Sequence, residues 1–143
     1  FDKAMSISKT KAMSLSDQFC VERHKNSFLD LVKNKLDITF ANEQEIKSLI
    51  NVNRFEEVVT FGKQLGKILV ITRGEKGSTF IKNDEVTECK SKPNLKILDL
   101  TGAGDLFAAG FLHGHINSLN TMQCLEKGTE MSSKIIQKIG ARI

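Results

Sequence analysis

Short apolar runs alternate along the chain with longer segments of helical period, a pattern typical of an α/β protein. The runs Ala12–Ser16 and Ile38–Ala41 predict two short strands. A third strand is predicted at Ile68–Thr72, where a continuous apolar run indicates burial on both faces of a sheet. Between these strands, helical spacing predicts helices at Glu43–Ile50 and Phe55–Leu65.

The first part of the chain carries a further helical pattern. Asp17 is placed to cap a helix, and the apolar residues of that helix recur on one stripe of about 3.6 residues: Val21, Phe28, Leu31 and Val32. The opening residues, 1–4, resemble the middle of a helix and lack an initiator Met. This blunt start indicates a piece of a longer protein.

The second half predicts a hairpin, a last strand and two closing helices. The hairpin pairs Ser78–Ile81 with Glu85–Cys89 around residues 82–84, and Leu95–Asp99 is predicted as the last strand. The closing helices are predicted at Gly104–Ile116 and Thr121–Ile139. Strands interleaved with helices indicate a single doubly wound, Rossmann-like parallel α/β sheet with flanking helices. Small and aromatic residues share one face of the first closing helix: Phe107, Gly110, Phe111 and Gly114.

Composition excludes several classes of function. No run of eighteen apolar residues is present, so no membrane span is predicted. The net charge is +4, but the lysines are scattered among acids and the nine Phe residues do not interleave with basic residues, so nucleic acid is not a predicted partner. The odd count of three widely spaced cysteines indicates a reducing compartment and neither a disulfide framework nor a zinc site. The three histidines predict no catalytic or metal-binding role.

The chemically informative segment is Asp99–Phe107, which runs through two glycines into a helix. Gly102 and Gly104 lack a Cβ atom and therefore let a ligand approach the backbone closely. The amides of Ala103, Gly104 and Asp105 are predicted to be unpaired donors at a helix N-terminus. Because donors and helix dipole point the same way there, the segment predicts an anion site, most naturally for a phosphate.

Asp105 allows two interpretations at that position. It is either an acid that complements the helix dipole, or a general base that accepts a proton from a hydroxyl attacking a γ-phosphoryl group. Other phosphate-binding motifs do not fit. A dinucleotide fingerprint would require Gly where Phe107 stands, and the nearest P-loop candidate, residues 62–67, is one spacer short and is followed by Ile68.

Four short motifs together resemble the ribokinase-like (PfkB) family of carbohydrate and nucleoside kinases. Asp99–Asp105 resembles its D-x-T-G-A-G-D signature, with Leu100 where Thr is common. Asn42–Glu45 matches its N-x-x-E motif, Thr72–Gly77 resembles its T-x-G-x-x-G turn, and Gly140-Ala141 resembles its closing loop. Residues 14–21 and 40–43 are most similar to bacterial adenosine-kinase-like members.

The resemblance implies an ATP-dependent transfer of the γ-phosphate to a primary hydroxyl of an adenosine-like nucleoside or a sugar. It implies Asp105 as the general base and an anion hole formed from Gly102, Ala103, Gly104 and Asp105. Glu45 is implied to hold hydrated Mg²⁺, the other interpretation being a solvated acid in a first helical turn. For Arg73, a partner for negative charge and a surface residue both remain open. The residues implied to contact the nucleotide are Asn42, Glu45, Thr72, Arg73, Gly74, Gly77, Thr101, Gly128, Thr129 and Ser132.

The chain lacks any segment resembling the family's Gly-rich N-terminal signature or its substrate-gripping β lid. We therefore expect residues 1–143 to be the C-terminal ATP-binding and catalytic part of a longer kinase, weakly active alone. The resemblance further implies a cytoplasmic protein, a homodimer formed through the absent lid, and, in some members, a monovalent cation bound by carbonyls near Asp99 and Gly140. A ribose- or fructose-type sugar kinase and a non-catalytic nucleotide-binding member are the alternatives.

Overall fold

The computed structural model describes residues 6–141, so the predicted helical start at 1–4 lies outside the described residues. The described chain divides into two compact units. The first runs up to Ile71 and includes Ile81–Val86, and the second comprises Thr72–Phe80 and the remainder from Thr87 onward. Five strands form one sheet in sequence order.

The first unit contains three strands and the helices between them. Strand β1 (Ala12–Ser14) pairs in parallel with β2 (Ile38–Asn42), with Ala12 opposite Ile38. After β2 come helices α3 (Glu43–Ile50) and α4 (Phe55–Leu65), and strand β3 (Ile68–Thr72) follows. The predicted bounds of α3, α4 and β3 are confirmed to the residue. Their buried apolar side chains, such as Ile46, Leu49 and Leu69, form the core of this unit.

The apolar face predicted for the helix after Asp17 is confirmed as its inward face. The prediction of one continuous helix is wrong. Asp17 caps α1 (Gln18–Arg23) by accepting a hydrogen bond from the Cys20 amide at 2.8 Å. His24 then leaves the helical region, with φ −122° and ψ 31°, and separates α1 from α2 (Lys25–Asp30). A π-helical turn at Leu31–Lys35 follows, in which the Leu36 amide donates to the Leu31 carbonyl. This wider turn changes the helical register.

A tight turn and a hairpin follow β3; the tip of the hairpin, Ile81–Val86, belongs to the first unit and the rest to the second. The turn contains a 3₁₀ segment at Gly74–Lys76, and the Arg73 amide donates to the Gly77 carbonyl across it. Strands β4 (Ser78–Lys82) and β5 (Glu85–Cys89) are neighbours joined by two residues, so they run antiparallel. The predicted α/β sheet with flanking helices is confirmed, but as a mixed sheet, because these short connections leave no room for a parallel crossover.

Two helices complete the second unit, α5 (Ala103–Ile116) and α6 (Thr121–Ile135). They pack closely at glycines. A Cβ added at Gly110 would lie 2.5 Å from the Lys127 carbonyl oxygen, and one added at Gly114 would lie 3.1 Å from Cys124 Sγ. The predicted inward face of α5 is confirmed, since Phe107, Gly110, Phe111 and Gly114 are all buried.

Two predictions for this unit are wrong, a strand and the end of the last helix. Leu95–Asp99 forms no strand: the Leu98 and Asp99 amides both donate to the Ile136 carbonyl instead of to a neighbouring strand, and Leu98 is half exposed. The last helix ends at Ile135 and not at Ile139, which is 87% exposed and so gains nothing from helical burial. Within the described residues, no helix has the length and apolar character needed to cross a membrane.

Candidate functional site

The turn into α5 depends on Gly102. This residue precedes the helix with φ 78° and ψ 1°, in the left-handed region that costs other residues free energy. A Cβ at this position would also lie 3.1 Å from the Cβ of Ala141 in the terminal loop. Gly102 is thus required both by its backbone conformation and by the close approach of the terminal loop.

The first amides of α5 are only partly available to a ligand. The Ala103 amide donates to the Leu100 carbonyl at 3.1 Å, so the prediction that it is unpaired is wrong. This bond closes the turn before the helix. Across residues 6–141, no backbone or side-chain partner exists for the amides of Gly104 and Asp105. Two donors therefore remain at the positive end of the helix dipole, where an anion is stabilised.

Asp105 lies in the first turn of α5 and is exposed. Its carboxylate accepts no hydrogen bond and forms no ion pair with any residue in the described part of the chain. A structural acid would ordinarily be recognised by such a partner, as Asp17 is by the Cys20 amide. The carboxylate is therefore available to accept a proton from a bound hydroxyl group.

The carboxylate of Asp99, unlike that of Asp105, has several hydrogen-bond partners within the protein. Its Oδ1 atom accepts hydrogen bonds from the hydroxyl and the amide of Thr101, at 2.7 and 2.8 Å, and its Oδ2 atom accepts one from the Gly140 amide at 2.9 Å. These bonds, led by the Thr101 hydroxyl, lower the pKa of Asp99 to about 2. Thr101, a predicted nucleotide contact, is thereby engaged in holding the turn before α5 against the terminal loop.

A cavity of about 610 Å³ opens within the second unit beside the start of α5. Ala103, Gly104 and Phe107 of α5 form one part of its lining. Its size falls within the range of small-molecule and cofactor sites, about 300–1,000 Å³. Several residues predicted to contact a nucleotide lie around it: Thr72, Gly74, Gly77, Thr129 and Ser132.

The turn after β3 forms a second part of the lining. Gly77 has φ 90°, and a Cβ there would lie 2.0 Å from the Cys89 carbonyl oxygen, so no other residue fits. Gly74 has φ 58° but faces open space. Ser91 Oγ donates to the Glu75 carbonyl at 2.6 Å and so ties this turn to the irregular segment that follows β5.

Arg73 does not line the cavity. Its Nη1 atom lies 3.6 Å from Glu88 Oε1, and its side chain is only 14% exposed. The Arg73 side chain is thus partly buried, and the negative charge beside it belongs to Glu88 of the protein itself. Gly128 also lies outside the lining but supports it: a Cβ there would be 3.0 Å from two ring atoms of Phe107.

The helix α6 and its C-cap form a third part of the lining, which includes two residues that were not predicted from the sequence. Thr129, Ser132, Ser133 and Ile136 all line the cavity, at helical spacings of three, four and seven residues. That spacing identifies Ser133 and Ile136 once Thr129 is placed on the inner face. Phe107, identified only as a core residue, also lines the cavity.

Asn42 and Glu45 lie in the first unit, where they form a capping box at the start of α3. The Glu45 carboxylate accepts hydrogen bonds from the amide and side-chain nitrogen of Asn42, each at 2.8 Å. Glu45 is 5% exposed, and this burial raises the pKa of its carboxyl. The interpretation of Glu45 as a solvated acid is therefore wrong. Within residues 6–141, no three His, Cys, Asp or Glu side chains form a cluster suited to a metal ion.

Comparison with known proteins adds an independent observation. The family model described as "pfkB family carbohydrate kinase" matches residues 3–143. An uncharacterized sugar kinase of Archaeoglobus fulgidus is 33% identical over 125 residues, which cover 85% of this chain and 48% of that protein.

Solved structures agree with that match. A probable sugar kinase from Rhizobium etli has a TM-score of 0.91 at 38% identity, covering 97% of this chain and 42% of the other. The adenosine kinase from Sinorhizobium meliloti has a TM-score of 0.92 at 33% identity, covering 98% and 43%. The chain thus spans less than half the length of each protein.

Proposed function

Because the chain belongs to the pfkB family of carbohydrate kinases, we propose that the protein of which it forms all or part is an ATP-dependent phosphotransferase. The reaction moves the γ-phosphate to a primary hydroxyl group of a small molecule. One observation carries the proposal: a cavity of nucleotide size adjoins a helix N-terminus that has two unpaired amides and a carboxylate without a partner.

In this proposal the amides of Gly104 and Asp105 donate to the oxygens of the transferring phosphoryl group. Charge that develops on those oxygens is stabilised by donors already oriented by the helix. Gly102 contributes the backbone conformation that starts the helix, and Ala103 contributes the bond to Leu100 that holds the turn. Phosphoryl transfer depends mainly on such positioning and electrostatic stabilisation.

Asp105 is proposed as the general base. It accepts the proton of the acceptor hydroxyl as the oxygen of that hydroxyl attacks the γ-phosphorus. The absence of any internal partner among residues 6–141 leaves the carboxylate free to hydrogen-bond the substrate. No side chain has to be displaced before the proton can be accepted.

Kinases of this kind use Mg²⁺ with ATP, and Mg²⁺ neutralises charge on the phosphate oxygens when bound. The carboxylate of Glu45 fits this ion in chemical type, since Mg²⁺ prefers oxygen ligands and retains its waters. Two Asn42 donors fix the carboxylate and leave it acceptor capacity for a metal-bound water. Glu45 and Asn42 are thus proposed to hold hydrated Mg²⁺.

For the acceptor we propose an adenosine-like nucleoside, with a ribose- or fructose-type sugar as the alternative. The relatives include an adenosine kinase and two sugar kinases, so the comparisons support both classes. A monovalent cation near Asp99 and Gly140, a homodimer formed through a lid, and a cytoplasmic location stay predictions.

The direct test is calorimetry of ATP binding to the full natural protein with Mg²⁺, followed by phosphorylation assays on a panel of nucleosides and sugars. We expect binding together with turnover of one class of acceptor. Binding without turnover of any acceptor would favour a non-catalytic member of the family. Absence of ATP binding would contradict the proposal.

A further inference from the structure

One hydroxyl group in the cavity is left without a partner. Ser133 lies on α6, is 5% exposed and lines the cavity. Its Oγ atom forms no hydrogen bond with any residue in the described range 6–141. Its Oγ atom is not among the side-chain atoms that protein fully encloses without a partner, so it is open to the cavity and available to hydrogen-bond a molecule bound there.

The neighbouring hydroxyls on α6 are already engaged. Ser132 Oγ donates to the Thr129 carbonyl at 3.2 Å, and Thr129 Oγ1 lies 3.8 Å from the Sγ atom of Cys89. Of the three hydroxyl residues that α6 contributes to the cavity, Ser133 alone therefore offers an unengaged group among the described residues. The side chains of Ser132 and Thr129 form part of the cavity wall, whereas the hydroxyl of Ser133 is available to hydrogen-bond a ligand.

The surroundings of Ser133 indicate which part of a ligand it meets. Ile136, the C-cap of the same helix, adds apolar surface to the lining, as do Phe107, Leu95 and Ile97. Such surface suits the faces of a flat aromatic ring, and one hydroxyl suits a polar group on the edge of that ring. Phosphates, by contrast, are favoured at the other feature of the cavity, the amide of Gly104 at the start of α5.

We infer that the Ser133 hydroxyl hydrogen-bonds the edge of the nucleobase of a bound nucleotide and contributes to recognition of that base. This inference rests on the proposed function, since it takes the cavity to be a nucleotide site. It adds a specificity-determining residue, not a catalytic one. A hydroxyl both donates and accepts, so its partner is either a ring nitrogen or an exocyclic amino group.

The test compares ADP with tripolyphosphate, which lacks the nucleoside, as ligands of the full natural protein. Ser133→Ala should weaken ADP binding about three- to tenfold, the effect of losing one hydrogen bond, and leave tripolyphosphate binding unchanged. Ser78→Ala is the control: Ser78 Oγ also has no hydrogen-bond partner, but it is fully enclosed and Ser78 does not line the cavity. It should change neither affinity.

Analogues of ADP that each lack one edge group then identify the contact: the 1-deaza, 3-deaza, 7-deaza and 6-desamino forms. The wild type should bind one of these analogues more weakly than ADP, by the same factor by which Ser133→Ala weakens ADP binding. The Ser133→Ala variant should bind that analogue and ADP equally well. Unchanged ADP affinity in Ser133→Ala, or equal effects of the variant on all four analogues, would overturn the inference and leave the proposed function standing. A wild type that does not bind ADP would overturn both.

Discussion

The Gly140 amide donates a hydrogen bond of 2.9 Å to the Asp99 carboxylate, although 41 positions separate the two residues. This bond fastens the terminal loop to the segment that leads into α5. Because Gly102 also lies against Ala141, the loop is held at two points beside the candidate site. The conformation of the site thus depends on contacts between this loop and the residues that precede α5.

The Asp99 contacts predict a pH dependence of stability. The pKa of Asp99 is lowered to about 2 in the folded protein, against about 3.9 in an unfolded chain. A lowered folded-state pKa stabilises the protein above the unfolded value, and this contribution is lost as the pH falls towards 2. Asp99→Asn should therefore lower the melting temperature at neutral pH, with the difference from wild type vanishing near pH 2.

Thermal unfolding followed by circular dichroism across this pH range measures the difference. Asp84→Asn, in the exposed turn between β4 and β5, controls for loss of one negative charge. A difference for Asp99→Asn that stays constant down to pH 2 would show that its ionisation is not coupled to folding.

Asp105 gives a prediction on catalysis. Asp105→Asn keeps the size of the side chain but cannot accept a proton, so kcat should fall about 10²- to 10⁴-fold. ATP affinity should change little, because Asp105 is exposed and its carboxylate forms no hydrogen bond or ion pair with another described residue. Steady-state kinetics and calorimetry separate the two quantities. Near-normal kcat in the variant would contradict the assignment of the base.

Two glycines of one turn form a matched pair for stability. Gly77→Ala places a Cβ 2.0 Å from a backbone carbonyl at φ 90° and should cost about 3 kcal/mol or more. Gly74→Ala meets nothing within 4 Å and should cost only about 1 kcal/mol, the backbone strain of its φ of 58°. Urea unfolding measures both changes. Equal costs would mean that steric contact with Cys89 does not determine the requirement for Gly77.

A second matched pair concerns capping boxes. Asn42 and Asn120 cap α3 and α6 in the same way, but the partner of Asn42 is the buried Glu45, whereas the partner of Asn120 is the exposed Gln123. Asn120→Ala should cost about 1 kcal/mol. Asn42→Ala should cost about 2–3 kcal/mol, since it also deprives a buried carboxylate of its side-chain donor. Similar values in urea unfolding would indicate that water replaces Asn42 at Glu45.

Helix and strand bounds were predicted best where the spacing of buried apolar residues agrees with a local start or stop residue. The bounds of α4 follow from its apolar spacing and the left-handed Gly66 that ends it. Leu95–Asp99 was misread because an apolar run predicts a strand only if a neighbouring strand is available, and the backbone there pairs with Ile136 instead. The break at His24 has no residue signal comparable to Gly or Pro, so spacing alone could not find it.

The residues at the start of α5 could be predicted from the sequence, whereas several residues that line the cavity could not. The glycines and Asp105 stand together in the sequence, so their position at one helix start could be predicted. The pairing of the Ala103 amide could not, because it depends on the path of Leu100 before the helix. Ser133 could not be predicted because its role depends on whether the neighbouring hydroxyls of Thr129 and Ser132 already have hydrogen-bond partners. That depends on how the side chains pack.

At Gly110 the main chain of α5 rests directly on that of α6, with no side chain between them. Side chains can rotate to relieve a close contact, but two main chains in contact cannot, so this packing resists movement of α5 relative to α6. In our proposal Gly104 contacts the phosphate end of the nucleotide and Ser133 its base. The packing at Gly110 would then keep the separation of these two contacts nearly constant.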